Sequence, residues 1–380
     1  MNIDELLRKA CEANASDLHL KAGNFPHVRV NGTLYPLTQF PRMTHEAMQF
    51  IADRVMTARH KQKFQEVAEL DLAYSVAGIG RFRVNVFQDR GAVSMVLRII
   101  PPVIRSIDEL LLPRVVYQLC EERRGLVLVT GTTGSGKSTT LAAIIDRINS
   151  TRTDHIITIE DPIEFYHPDK KGFVNQREVG DDTPSFEAAL RSALRQDPDV
   201  LLVGEMRDLE TMRTAITAAE TGHMVYSTLH TLDAQETVQR IIAVFPAEEQ
   251  KQIRLQLAST LKGVISQRLV RRADGKGRVP AVEILVATEF IRDCIINPDK
   301  TRLIRALLAS GTSQYSTQTF DQSLYDLYSK GLITLEEASR WSSNPHELQL
   351  RVAGISSATD MAREEMEQAA RSQIERFGKA

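Results

Sequence analysis

Cysteine is scarce in this chain: Cys11, Cys120 and Cys294 are the only three in 380 residues, and no two form a CxxC pair. Sparse, unpaired thiols exclude a disulfide scaffold and offer no structural zinc site; they fit a reducing compartment. Long hydrophobic runs are missing as well, since no segment approaches the roughly 20 apolar residues that span a bilayer. The N-terminal MNIDELLRKACEA reads as a charged amphipathic helix and lacks the apolar stretch of a signal peptide. The expectation is a cytoplasmic protein whose membrane association, if any, comes through a partner. Nor does one sign of charge dominate. Lys and Arg number 47 against 49 Asp and Glu, and aromatic residues make up 6%, so no nucleic acid is expected as a partner.

What is present is the composition of a globular protein, 42% hydrophobic and 25% charged, long enough for two domains. The first hundred residues have an α+β grain. HVRVNGTLYPL holds Asn31-Gly32 between alternating arms, a hairpin signal. RFRVNVFQDRGAVSMVLRII gives two strands joined through Asp89-Arg90-Gly91, and residues 44–68 carry helical spacing. Pro101-Pro102 ends this block, and residues 101–122 are expected as a linker.

From Gly125 the grain changes. GLVLVTG, HIITIED, DVLLVGE and HMVYSTL are short buried-strand runs separated by helical segments, which argues a parallel sheet covered on both faces over 123–285. After Pro280 the chain reads as mostly helical: a helical part over 286–359, then a tail over 360–380, helical or disordered, with no chemistry of its own.

GTTGSGKST, Gly131-Thr132-Thr133-Gly134-Ser135-Gly136-Lys137-Ser138-Thr139, follows a strand and opens a helix, the context a phosphate loop needs. Inward-turned backbone N–H groups and the helix N-terminus cradle phosphates, Lys137 reaches the β- and γ-phosphates, and Ser138 ligates Mg²⁺. ATP and Mg²⁺ are the expected cofactors. Hydrolysis also needs carboxylates, and two acidic clusters end apolar strands: Glu160, Asp161 and Glu164 in ITIEDPIEF, and Glu205 in DVLLVGEMRD. Each could instead cap a helix or sit solvated in a loop. Gly204 stands where an acidic pair is commoner.

His223 and His230 flank the last of these strands. At about 3.3 Å per residue they stand roughly 20 Å apart and cannot share a metal. His230 ends its strand as Glu205 does, which suits contact with a γ-phosphate; His223 reads equally as a capping residue.

The four segments GTTGSGKST, IEDPIEF, LRQDPDVLLVGEMRD and TAAETGHMVYSTLHT, in this order and spacing, resemble the Walker A, Asp-box, Walker B and His-box of secretion-type ATPases. Together with ASDLHL, GRFRVNVF and TFDQSLYDLYSKGLIT, they resemble most the type IV pilus retraction ATPases, the PilT/PilU group, which covers nearly the whole chain. EFIRDCIINPDKTRLI matches only loosely the segment that PilT-type proteins carry after the core, and the extended tail looks nearer to PilU.

The resemblance implies a PAS-like N-terminal domain (1–100) and a RecA-like ATPase domain, six copies forming a ring. Glu164 then corresponds to the catalytic glutamate that activates water, Glu205 to the Walker B glutamate near the metal, and His230 to the His-box histidine. A ring also gives arginines a role on the phosphoryl group of a neighbouring subunit; Arg81, Arg83, Arg98, Arg195 and Arg207 are candidates, each equally readable as a surface residue. The implied partners are an inner-membrane pilus platform protein and, for an accessory motor, a second retraction ATPase ring. A pilus-assembly or type II secretion ATPase, a RecA-like nucleic-acid translocase and a nucleotide-holding structural partner are the alternatives.

Overall fold

The computed structural model describes residues 2–30, 32–100, 103–311 and 315–354. Pro101-Pro102 and the tail assigned to 360–380 lie outside the described residues. Contacts divide the chain into two compact units, one of residues 1–104 with 161–168, the other of 105–160 with 169–380.

The first unit is built on a six-stranded sheet in the order β3-β2-β1-β6-β5-β4, antiparallel throughout. Its strands are β1 (Asp17–Lys21), β2 (His27–Val30), β3 (Thr33–Pro36), β4 (Glu69–Val76), β5 (Gly80–Asp89) and β6 (Ala92–Ile100). Alternation sets its faces: Phe82, Val84 and Val86 of β5 are buried, while Arg81 and Arg83, which alternate with them, are half-exposed. The buried face takes α1 (Ile3–Glu12), which contributes Ile3, Leu6, Leu7 and Ala10, the i, i+3, i+4, i+7 stripe of a helix packed on one side. Residues 44–68, read as one helical stretch, form α2 (His45–Val55) and α3 (Ala58–Val67). The break falls at Thr57, whose side chain caps α3 by accepting from the His60 N–H.

The second unit holds a seven-stranded sheet in the order β13-β12-β7-β11-β10-β8-β9. The expected strands are β7 (Gly125–Thr130), β8 (His155–Glu160), β10 (Val200–Val203) and β11 (Met224–Leu229), all parallel. To these the structure adds β9 (Phe173–Glu178), β12 (Leu261–Arg271) and β13 (Arg278–Val286). Pro280 therefore ends no strand. It lies inside β13, antiparallel to β12 at the sheet edge, where a residue without an N–H leaves the outer side unpaired at no cost to the ladder. The mostly helical region begins after Val286.

Alternate side chains of the central strands enter two cores. Val127 and Val129 pack with Ile144, Ile145 and Ile148 of α5 (Lys137–Thr151). Leu126 and Leu128 pack with α7 (Leu209–Glu220), α8 (Ala234–Val244) and α9 (Gln250–Thr260), through residues such as Ile216, Ile241 and Leu257. The span expected as a linker belongs to the first of these cores: Ile107, Leu112 and the residues Val116 and Leu119 of α4 (Val115–Glu121) are buried there. Spacing by three along Val116 and Leu119 is a packed helix face, not a tether. Among the described residues no helix is long and apolar enough to cross a membrane.

Candidate functional site

Strands β7, β11, β10 and β8 are adjacent and parallel, so their carboxyl ends line one edge of the sheet. The loop 131–136 leaves β7 there, His230 follows β11, Glu205 follows β10 by one glycine, and Glu160 ends β8. Ligand sites of open parallel sheets form at this edge, beyond the ends of the strands.

The loop is shaped by close backbone approaches. Gly131 has φ of +141°, and a Cβ there would stand 2.5 Å from the Gln267 carbonyl oxygen and 2.6 Å from Ser135 Oγ. Lys137, in the first turn of α5, donates its ammonium to the carbonyls of Gly131 at 2.8 Å and Thr132 at 3.1 Å, which keeps the charge inside the loop's curve. Beneath it two buried polar bridges tie β12 to the loop's flanks. Thr130 Oγ1 and Ser266 Oγ are 2.8 Å apart, and Gln267 Nε2 donates to Thr140 Oγ1 at 2.8 Å. A cavity of about 620 Å³ opens beside the loop, walled by Thr139, Leu269 and Pro280 and bordered by the cations Arg105, Arg272 and Arg278.

Glu205 lies between two basic side chains. Arg207 Nε is 2.6 Å from one carboxylate oxygen, and His230 Nε2 is 3.5 Å from the other. Gly204 gives Glu205 this place, because a Cβ at residue 204 would come within 3.2 Å of the Ile159 carbonyl at the end of β8. The bulk of a second acidic residue would press on the neighbouring strand. The position is fixed further by Thr228 Oγ1, which donates to the Gly204 carbonyl at 2.6 Å. Ser138, in the first turn of α5, and Glu205 supply hard oxygen donors of the kind magnesium takes alongside phosphate oxygens.

Glu160 accepts from Thr158 Oγ1 at 2.7 Å and Gln176 Nε2 at 3.2 Å, so it braces β8 against β9. Asp161 and Glu164 are exposed and belong to the segment 161–168 of the first unit. His223 donates through Nδ1–H to the Ala218 carbonyl at 3.0 Å and so closes the end of α7. Arg195 donates to the Arg191 carbonyl of α6 (Phe186–Ala193) at 3.1 Å. Arg81, Arg83 and Arg98 lie on the first unit's sheet, with Arg83 opposite Arg98 in the register of β5 and β6. Arg83 stands 3.8 Å from Asp71, and Arg98 donates to Asp17 at 3.0 Å. Burial raises the affinity of Asp17 for a proton, but the Ser16 and Arg98 hydrogen bonds outweigh it and hold the carboxyl below the usual range. Arg207 is brought to the Glu205–His230 cluster.

The profile of the family described as type II/IV secretion system protein matches residues 1–378. The chain belongs to that family. Within it, the chain is 47% identical over 345 residues to a Pseudomonas aeruginosa protein described as the type IV pilus retraction ATPase PilT, covering 91% of this chain and 99% of the relative. It is 42% identical over 352 residues to the type IV pilus ATPase PilU of the same organism, covering 93% and 91%. The identities thus place it with both groups, PilT having the higher figure. A solved structure of the pilus retraction motor PilT with bound ADP superposes with a TM-score of 0.85 at 49% identity, covering 92% of this chain and 99% of that one. The α/β fold of this secretion-family chain is therefore that of a solved PilT.

Sequence reasoning passed over Gln267, Ser266 and the arginines of the cavity. The run RRADGKGRVP holds a usable signal, since basic residues around a Gly-rich turn near a phosphate site suit an anionic ligand; the pairing of β12 with β7 that brings it there is not visible locally.

Proposed function

We propose that this chain is an ATP-hydrolysing motor that powers retraction of type IV pili, working as a ring of six copies. The observation that carries the reading is the convergence of the phosphate loop, Glu205 and His230 at the ends of three neighbouring strands, in a chain so similar to PilT and PilU. The second unit acts as the RecA-like engine and the first as a PAS-like domain.

In the reaction, loop N–H groups and Lys137 hold the β- and γ-phosphates, and the cavity beside Thr139 and Leu269 receives the nucleoside. Ser138 and Glu205 hold the Mg²⁺, which when bound offsets the charge of the phosphate oxygens. Glu164 takes a proton from the attacking water, whose oxygen bonds to the γ-phosphorus as the bond to the bridging oxygen breaks, giving ADP and phosphate. His230 contacts the γ-phosphate side, so its surroundings differ between ATP and ADP. A neighbouring subunit's arginine, from Arg81, Arg83, Arg98, Arg195 or Arg207, neutralises the transferring group. The ring works in the cytoplasm at the pilus base against an inner-membrane platform protein, alone or with a second retraction ATPase ring.

The test pairs hydrolysis with retraction. Lys137→Ala and Glu164→Gln are each expected to lower turnover by at least about a hundredfold. In cells deleted for this chain, surface pili should accumulate and twitching should stop, with rescue by wild type alone. Retraction that persists at reduced force would assign the accessory role, and rescue by Glu164→Gln would refute a motor driven by its own hydrolysis.

A further inference from the structure

The segment that carries His230 is held by a carboxylate far from it in sequence. After β11 the chain runs His230-Thr231-Leu232-Asp233 into α8. Thr231 Oγ1 and Thr237 Oγ1 are 2.6 Å apart, the Leu232 N–H donates to Glu236 at 2.8 Å, and Asp233 caps the helix by accepting from the Glu236 N–H at 2.7 Å. These bonds make residues 231–237 one local piece. The Ala234 N–H donates outward, to Oε1 of Glu283 on β13, at 2.9 Å. Glu283 is 5% exposed, so this bond is made away from water.

We propose that Glu283 is a positioning residue for hydrolysis: its carboxylate anchors the first turn of α8 to β13 and so fixes where His230 stands. The inference rests on the reading of the phosphate loop as a hydrolytic site with His230 on its γ-phosphate side. A negative group at a helix N-terminus is favoured by both the helix dipole and the unpaired N–H groups. The anchored turn has little freedom of its own, so movement of Glu283 carries over the few residues to His230.

Glu283 also meets the C-terminal helices. A cavity of about 110 Å³ beside it is lined by Asp233, Arg268, Arg305 and Phe320 among others. The Arg268 guanidinium stands 3.9 Å from the centre of the Phe320 ring and donates to the Trp341 carbonyl at 2.9 Å. Arg305, on the helix Ile304–Ser310, is 3.5 Å from Asp321 of the helix Phe320–Ser329. The groups acting on Glu283 come from three neighbouring elements. The Ala234 N–H and Asp233 belong to the start of α8, Arg268 to β12 and Arg305 to the helix Ile304–Ser310. Burial, reinforced by Asp233 and opposed by Ala234 and the two arginines, pushes the Glu283 carboxyl up to about 7. The anchor therefore has two forms at neutral pH, and the ionised form grips Ala234 more strongly.

The full-length chain and Glu283→Gln are compared in ATP turnover from pH 6 to 8.5, with Lys137→Ala as the hydrolysis-dead control. Glutamine keeps the shape and one acceptor but not the charge. The expected result is a kcat about tenfold lower at pH 8, with KM within about twofold. The rise of wild-type kcat through neutral pH should be absent from the variant. Amide exchange should be faster in residues 231–237 of the variant and unchanged in β7. Equal kcat and identical pH profiles in the two proteins would overturn the inference, as would a fall in kcat accompanied by unfolding throughout the sheet. Should the variant fail to fold, Glu283→Asp keeps the charge but shortens the reach, and an unaltered kcat there overturns it equally. If wild type hydrolyses no faster than Lys137→Ala, the motor reading itself fails and takes this inference with it. A defect confined to Glu283→Gln leaves the motor reading intact.

Discussion

At the scale of single residues, Glu283 makes the chain's stability depend on pH. Its carboxyl titrates near 7 in the fold against 4.5 for a free glutamate, so between those values the folded chain keeps a proton that the unfolded chain has lost. Stability from this group is therefore full below about pH 4.5, falls as pH rises through 7 and is flat above. The shift corresponds to about 3 kcal/mol across that window. Glu283→Gln removes the titration, and the variant is expected to melt higher than wild type at pH 8 while turning ATP over more slowly. Melting curves at pH 5 and pH 8 check this: a variant that loses stability at both would make Glu283 a simple structural brace. A residue that costs stability in its working form is what an anchored catalytic segment would retain.

At the scale of elements, α4 is held to the sheet by an unusual bond. The hydroxyl of Tyr226, in the middle of β11 and fully buried, donates to the Leu119 carbonyl at 2.8 Å. Tyr226→Phe leaves that carbonyl without this donor and is expected to cost about 1–2 kcal/mol. Urea unfolding should show a lower midpoint with an unchanged slope; an unchanged midpoint would mean the carbonyl finds another donor. Elements such as this also show what a sequence can reveal. The strands β7, β8, β10 and β11 are legible because each is an apolar run ended by its own chemistry. Strand β12 is not, because Lys262, Gln267 and Arg268 interrupt LKGVISQRLV and a helical period runs straight into it. Strand β13 hides behind Pro280, tolerated only because it is an edge. In the site, the phosphate loop, Glu205 and His230 can be read from local motifs. The Glu283 anchor cannot, since it joins residues 49 positions apart whose pairing depends on the sheet order.

At the scale of the whole molecule, the proposed ring makes a claim that no single subunit can. If six copies hydrolyse in concert, mixing in one Glu164→Gln chain for every two wild-type chains leaves roughly a tenth of rings uniformly wild type. Turnover of the mixture should then fall well below the two-thirds expected of independent subunits. Measurement across mixing ratios separates the two: a straight line would sink the concerted ring, and a steep convex fall would support it.

The first unit includes residues 161–168, which the chain reaches only after building α4, β7, α5 and β8 of the second. Synthesis runs from the N-terminus at about 5–20 residues per second, so these residues follow residue 104 by roughly 3 to 13 seconds. For that interval the first unit lacks residues 161–168, while the strand that bears the phosphate loop has already been synthesised. Birth order and domain order disagree in this protein: the first unit is complete in sequence only after the strand that bears the phosphate loop has been made.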